Sequence, residues 1–421
     1  MAPIEDFSDY KISADLISII LQIMKRPIFF FFALIFTFSC KSQPKSLFKI
    51  SPEIFTDNMI SLSDIADDIS YVPLDNYFPI GLTYKLVVTT KNIYLSIKDV
   101  DVGILKFDNQ GKLVCKIGNR GRGPEEYIYG MEFSVDEKTG NIYVLDRSTI
   151  KVYSFSGRFI RNINYNDYLS YQGGDIEIYN SLIFIPDFIQ YGNAKYNWIF
   201  LDTLGNLVSR KENSVPPFTV NSVIPGQIYK FNNNLYYFNY LNDTIFSIKP
   251  DLKCSPAYLF AKGDFRFPNN FVFDFTKLND IFRPGEMFET KQYIFLNYSY
   301  KGKSAISLIN KKTKKVSQAY KNIENTTMPV KTKALIENDL DAGLPFSTKP
   351  IFSNYTKDGT EYLATFITPY DLKTYLLTND FKSKIPVFPE KKKQLEKIAG
   401  NLNDTDNPVL MIIRIKKMSN R

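Results

Sequence analysis

Between residues 118 and 147 the chain gathers side chains that could do chemistry: Arg120, Arg122, Glu125, Glu126, Tyr127, Asp146 and Arg147. Guanidinium groups grip carboxylates, phosphates or sugar hydroxyls through forked hydrogen bonds. The cluster is therefore a candidate ligand-binding surface. Its first five members belong to the run Gly118-Asn-Arg-Gly-Arg-Gly-Pro-Glu-Glu-Tyr127. These glycines make no nucleotide fingerprint, because no GxGxxG opens a helix after a parallel strand. A simpler reading is structural: the glycines shape a tight crossing, Arg and Glu pair with each other, and Asp146 is an ordinary turn former. Neither reading supplies a catalytic residue or a cofactor.

The composition narrows the chemistry further. The 421 residues include no histidine, which removes Ser-His-Asp triads, His-ligated zinc and imidazole proton shuttles. Asp99 with Asp101, and Asp339 with Asp341, offer oxygen ligands but lack the spacing of a calcium loop, so they read as solvated loops and no metal site is expected. Tyr236-Tyr237-Phe238 and Tyr298 with Tyr300 could stack on sugar rings, although packing between strands is the plainer role. Lys311 to Lys315 reads as a polar hairpin turn.

Stepping outward, the candidate cluster sits among short strands. Phe133 to Val135, Asn141 to Leu145, Ile150 to Phe155 and Arg158 to Ile163 alternate with turns at Asp136 to Gly140, Asp146 to Thr149 and Ser156-Gly157. Four strands in about 35 residues make one propeller blade. The same unit recurs from Leu82 to Ile117, Gly174 to Glu212, Gln227 to Ala261 and near Gly285 onward. Hairpin turns fall at matching places: Asn109-Gln110-Gly111, Ser156-Gly157, Leu204-Gly205-Asn206 and Pro250-Asp251. Both faces of most strands are apolar, as in Ile142 and Val144 against Tyr143 and Leu145, so each sheet needs cover on both sides. Stacked blades provide it; a two-sheet sandwich is the alternative.

A sixth, irregular blade holds strands at Pro350 to Tyr355 and Tyr362 to Ile367, helical patches at Pro369 to Leu376 and Glu390 to Ala399 with Gly400 as C-cap, and a last strand at Val409 to Ile415. The orphan strand Ile69 to Leu74, with Pro73 tolerable only at an edge, is the natural partner to close the ring. The fold expected is all-β, a six-bladed β-propeller of four-stranded antiparallel blades over residues 57–421.

The amino terminus carries an address. From Met24 the chain reads Met-Lys-Arg-Pro, then an uncharged apolar run from Ile28 to Phe38, then Ser39-Cys40. That is a secretory signal over residues 24–39. The run is too short for a span of about 20 residues. Residues 1–23, with Glu5, Asp6, Asp9 and Asp15 against Lys11, fit badly before a signal, and Met24 is the expected start. Cys40 closes a sequence resembling the bacterial lipoprotein box, with Thr37 where Leu is usual. An acylated Cys40 would anchor the chain to membrane lipid, and residues 40–56 would serve as tether. Cys115 and Cys254, in or beside the outer strands of the units Leu82 to Ile117 and Gln227 to Ala261, are too far apart in such a ring for a disulfide. Losing residues 1–39, three basic and four acidic, moves the net charge from +8 to +9. The excess is spread along the chain without an arginine-rich helix, so it reads as solvated surface and no nucleic-acid partner is expected.

The run Gly118 to Tyr127, with Gly140-Asn-Ile-Tyr-Val-Leu-Asp146 and Val152-Tyr-Ser-Phe-Ser-Gly157, resembles an NHL-type propeller repeat. With the lipoprotein-like start and the ending Asp404-Thr-Asp-Asn-Pro-Val-Leu410, the chain is similar to six-bladed propeller lipoproteins of Bacteroidetes. The resemblance implies fold and compartment: a monomer on the outer membrane, at its periplasmic face because Lys41 to Lys45 carries no acids. It implies no reaction. Two functions stay open: a non-enzymatic propeller binding a glycan, peptide or envelope protein, or a hydrolase or lyase with carboxylates and arginines in its channel.

Overall fold

The computed structural model describes residues 47–98, 102–169, 173–187, 189–190, 194–213, 223–224, 226–239, 242–261, 280–322, 334–348 and 352–417. The described residues build seven sheets: six are arranged as the blades of a propeller, and the seventh is a two-stranded pair, Ile189–Gln190 with Val223–Ile224. From inner to outer strand, blade one is Thr83–Val88, Asn92–Ile97, Ile104–Asp108 and Leu113–Ile117. Blade two is Phe133–Asp136, Asn141–Asp146, Thr149–Ser154 and Phe159–Asn164. Blade three is Glu177–Tyr179, Leu182–Pro186, Tyr196–Leu201 and Leu207–Glu212. Blade four is Gly226–Phe231, Asn234–Asn239, Thr244–Ile248 and Cys254–Phe260. Blade five is Arg283–Glu289, Tyr293–Tyr300, Lys303–Asn310 and Val316–Asn322. Blade six is Phe352–Lys357, Thr360–Ile367 and Val409–Ile415, completed by Ala66–Pro73 from the other end of the chain. Inner strands of neighbouring blades meet: one with six, two with three, four with five.

The apolar core is a chain of blade-to-blade interfaces. Ile142 and Val144 of blade two pack with Tyr94, Ile104 and Ile117 of blade one. Their neighbours Tyr143 and Leu145 point the other way, onto Ile183, Ile185 and Ile199 of blade three. Phe184 and Trp198 carry the stack on to Tyr237 of blade four. A larger cluster joins blades four, five and six. Ala364 and Leu410 of blade six then meet Leu86, Leu95 and Leu105 of blade one, closing the circle. A strand buried on both faces has no room for alternation of apolar and polar side chains, which is why the strands read as they do.

Ring closure follows the expected pairing. Ala66–Pro73 runs antiparallel to Val409–Ile415, with Ile69 opposite Ile413 and Tyr71 opposite Met411. Pro73, which donates no ladder hydrogen bond, lies on the outermost strand.

Four details depart from the sequence reading. Part of the segment expected as tether is packed: Phe48–Ile50 adds a parallel strand to the outer edge of blade four, beside Tyr258 to Phe260. Phe55 then stacks on Tyr298 at 4.5 Å, and Gln318 of blade five donates its N–H to the Asn58 carbonyl. Ahead of Ala66 stands a short helix, Leu62–Ile65, where the sequence pattern marked none. The last helix, Pro389–Gly400, runs through Gly400 and is capped by Asn401 in ordinary right-handed geometry, so Gly400 is not the cap. Another short helix, Asn379–Ser383, stands between it and Pro369–Leu376. Cys115 and Cys254 are both free, on the outer strands of blades one and four.

Candidate functional site

Four of the seven sequence candidates are spent on the crossing between blades one and two. The Tyr127 hydroxyl accepts the Ile104 N–H and donates to the Ile117 carbonyl, both at 2.9 Å, and the ring is fully buried. Burial holds its phenol well above the usual range. Glu126 turns back on its own loop and accepts the Gly123 N–H at 2.8 Å. A Cβ on Gly121 would stand 1.9 Å from that carboxylate, so this glycine makes room for it. The Arg120 guanidinium donates to the carbonyls of Lys98 at 2.7 Å and Ile128 at 3.0 Å. Asp146 is buried and accepts the N–H groups of Ile128 and Tyr129 at 3.1 and 3.0 Å. Arg122, Glu125 and Arg147 remain exposed, and Arg147 lies 5.4 Å over the ring of Tyr129. The structure therefore gathers Arg120, Glu126, Tyr127 and Asp146 around backbone, and leaves the other three to solvent.

A different set of charges lines the inner strands. Lys85 of blade one reaches Asp175 at 2.6 Å and Glu132 at 3.2 Å, two acids that lead into the inner strands of blades three and two. Glu177 of blade three accepts the Ser134 hydroxyl at 3.0 Å and the Lys230 ammonium of blade four at 2.7 Å. The ionic chain thus bridges four blades. Burial opposes the charge on Lys85, but Asp175, Glu132 and Glu177 together outweigh it and keep the ammonium protonated. Glu132 is pushed up to about 7, first by burial and then by the neighbouring Asp175 carboxylate, against the pull of Lys85. Sequence reasoning passed over these residues, yet a partial signal existed: Lys85, Glu132, Asp175 and Glu177 are charges at or just before the early part of inner strands, as in TYKLVV and GDIEIY, while Lys230 stands near the end of its strand.

A carboxyl raised in the folded state binds more protons there than in the unfolded chain, so stability falls as pH rises between the two pKa values. For Glu132 that window runs from about 4.5 to about 7. Thermal unfolding from pH 4.5 to 8 should therefore show a steeper loss of stability in the wild type than in Glu132→Gln. Parallel curves would mean that Glu132 does not titrate in this window.

Where the inner strands of blades four to six end, an open cavity of about 390 Å³ is lined by Lys230, Asn232, Glu289, Lys291, Asn354 and Glu361, among others. Adjacent strands are antiparallel, so this opening lies opposite the blade-to-blade crossings that hold Arg120 to Tyr127. A smaller recess of about 100 Å³ lies on the crossing side, between Tyr129, Glu132, Arg147 and Gly173.

Residues 46–414 match the family described as a domain of unknown function, DUF4934. The chain belongs to the DUF4934 family. Among solved structures, a Bacteroides fragilis protein described as exported is similar, with 18% identity, a TM-score of 0.62, and coverage of 88% of this chain and 100% of that one. A Bacteroides thetaiotaomicron protein of unknown function matches with 10% identity, a TM-score of 0.39, and coverage of 73% of this chain and 72% of that one. No curated protein matches. The likeness to the Bacteroides fragilis structure is one of fold.

Several other sequence candidates in this DUF4934 propeller take structural places. Asp339 and Asp341 are not solvated loop: Asp339 accepts the Ser63 N–H at 2.8 Å, and the fully buried Asp341 accepts from Tyr71 at 2.7 Å and Gly343 at 2.9 Å. Asp99 and Asp101 lie outside the described residues. Among the described residues no cluster of acids or cysteines could hold a metal ion. Tyr236, Tyr237, Phe238 and Tyr298 are buried between blades and offer no face to a sugar. Lys311 starts a turn as expected, but its ammonium also pairs with the buried Glu289 and lies 3.5 Å from the Phe231 ring centre.

Proposed function

We propose that this chain is an exported envelope lipoprotein, held through an acylated Cys40 at the periplasmic face of the outer membrane, whose propeller binds a ligand without transforming it. The observation that supports binding over catalysis is the pairing of the inner-strand acids. Glu132 and Asp175 share Lys85, Glu177 has Lys230 and Ser134, and Glu289 has Lys311, Tyr229 and Tyr258. A carboxylate tied to a cation and hydroxyls is a poor nucleophile or base, and the chain has no imidazole to replace it. Export and anchoring rest on the signal-like run ending at Cys40. One observation favours a second reading, a hydrolase or lyase: the Glu132 carboxyl, pushed up to about 7, is suited to general-acid work.

One experiment tests both halves. Cys40→Ser is expected to yield a folded protein in the soluble fraction, where the wild type fractionates with membranes. Probed on glycan and peptide arrays, the soluble form should retain a ligand unchanged. A Cys40→Ser protein that stays in the membrane pellet would overturn the anchor. Cleavage of a retained ligand, lost in Glu132→Gln, would make the protein an enzyme.

A further inference from the structure

We propose that the cavity at the ends of the inner strands of blades four to six binds a neutral, hydroxyl-rich ligand, a carbohydrate unit; this rests on the reading of the propeller as a binding protein. Its volume, about 390 Å³, falls in the range of about 300–1,000 Å³ typical of ligand sites. The charges around it are already answered within the protein. Glu289 holds the Lys311 ammonium and the hydroxyls of Tyr229 and Tyr258. Glu361 accepts the Lys291 N–H through both oxygens, at 2.9 and 3.1 Å. Lys230 is taken by Glu177, and the Lys291 ammonium donates to the Gly359 carbonyl at 3.0 Å. An ionic ligand would meet charges that balance, Lys230, Lys291 and Lys311 against Glu177, Glu289 and Glu361, and would have to compete with these partners.

Beside the rings of Phe231, Tyr355 and Tyr362, what the cavity offers is amide and hydroxyl. The side chains of Asn232, Asn354 and Thr356 are exposed and make no hydrogen bond among the described residues. A primary amide both donates and accepts, as a sugar hydroxyl does, so the two can pair in either sense. A purely apolar ligand would strip water from these groups and return nothing. The walls are also fixed in advance. Asn232 and Asn233 form a tight turn with φ of 48° and 60°, and the Tyr179 hydroxyl donates to the Asn233 carbonyl at 3.0 Å. The Lys291 turn is tied to blade six through Glu361. Pre-formed walls lower the ordering cost of binding.

The test uses the Cys40→Ser full chain on arrays of neutral oligosaccharides, acidic oligosaccharides and peptides, followed by calorimetric titration of variants. A neutral oligosaccharide is expected to bind. Asn354→Ala and Thr356→Val should each weaken it about 3- to 10-fold, the loss of one hydrogen bond, while melting with the parent protein. Arg122→Ala, at the opposite opening, should leave affinity unchanged. Binding of acidic glycans or peptides alone would overturn the ligand class while leaving a binding propeller. A neutral sugar whose affinity ignores Asn354→Ala and Thr356→Val would overturn the site. Failure to bind anything on any array would sink the binding function itself, and this inference with it.

Discussion

A chain ending at Asp406 should lose its cooperative thermal transition, while one ending at Lys416 should melt like the full chain. The seven residues Val409–Ile415 lie inside blade six, with Thr360–Ile367 on one side and Ala66–Pro73 on the other. Removing them orphans the strand that closes the ring and opens the faces of two neighbours. Val409, Met411 and Ile413 belong to the cluster shared with blades four and five, and Leu410 to the cluster shared with blade one. With Ile415, five of the seven side chains are at most 2% exposed. Each contributes about 1.5–3 kcal/mol by burial, so the group is worth about 7–15 kcal/mol. That matches the roughly 5–15 kcal/mol by which a domain is stable at all. Differential scanning calorimetry of the two truncated chains decides the matter. If the shorter melts cooperatively within a degree or two of the longer, the ring does not depend on this strand.

The architecture was legible because its cause is local. A blade buried on both faces writes two apolar rows into one strand, and Ile142 and Val144 against Tyr143 and Leu145 show both rows meeting different blades. The orphan strand near Ile69 was legible as well, since an apolar segment with no partner of its own had to pair somewhere. What escaped notice depends on residues far apart in the chain. Phe48–Ile50 is only three residues long, and its parallel partner lies more than two hundred positions away. The ionic chain through Lys85, Glu132, Asp175 and Lys230 draws on four blades, so no window of sequence contains it. Tyr127 misled for a related reason. Beside two arginines and two glutamates it resembles a surface residue, and only the packing of Ile104 and Ile117 around its hydroxyl makes it an internal brace.

Gly157→Ala is expected to be among the most damaging single substitutions in the ring, at about 2–5 kcal/mol. The recurring glycine in the outer hairpin of successive blades marks where one blade leans on the one before it. A Cβ on Gly111 of blade one would stand 2.1 Å from the Pro73 carbonyl oxygen of blade six, and one on Gly157 of blade two 2.1 Å from the Lys116 carbonyl oxygen of blade one. In blade three the corresponding Gly205 would meet Ile163 of blade two at 2.7 Å. At Gly157 two costs combine. Its φ of 82° lies in the left-handed region, where an L side chain costs about 1–2 kcal/mol. The contact with backbone oxygen can be relieved only by moving blade one away from blade two, a further 1–3 kcal/mol or so for overpacking. It would also disturb the 3.1 Å hydrogen bond from the Gly118 N–H to the Gly157 carbonyl. Gly302 separates the two costs: its φ is 66°, yet nothing lies within 4 Å of an added Cβ. Gly302→Ala should therefore lose about 1–2 kcal/mol, the backbone cost alone. Urea unfolding of the two variants against the wild type measures the difference. Equal losses would show that the outer hairpins do not bear on the preceding blade and that glycine recurs there for its turn geometry only.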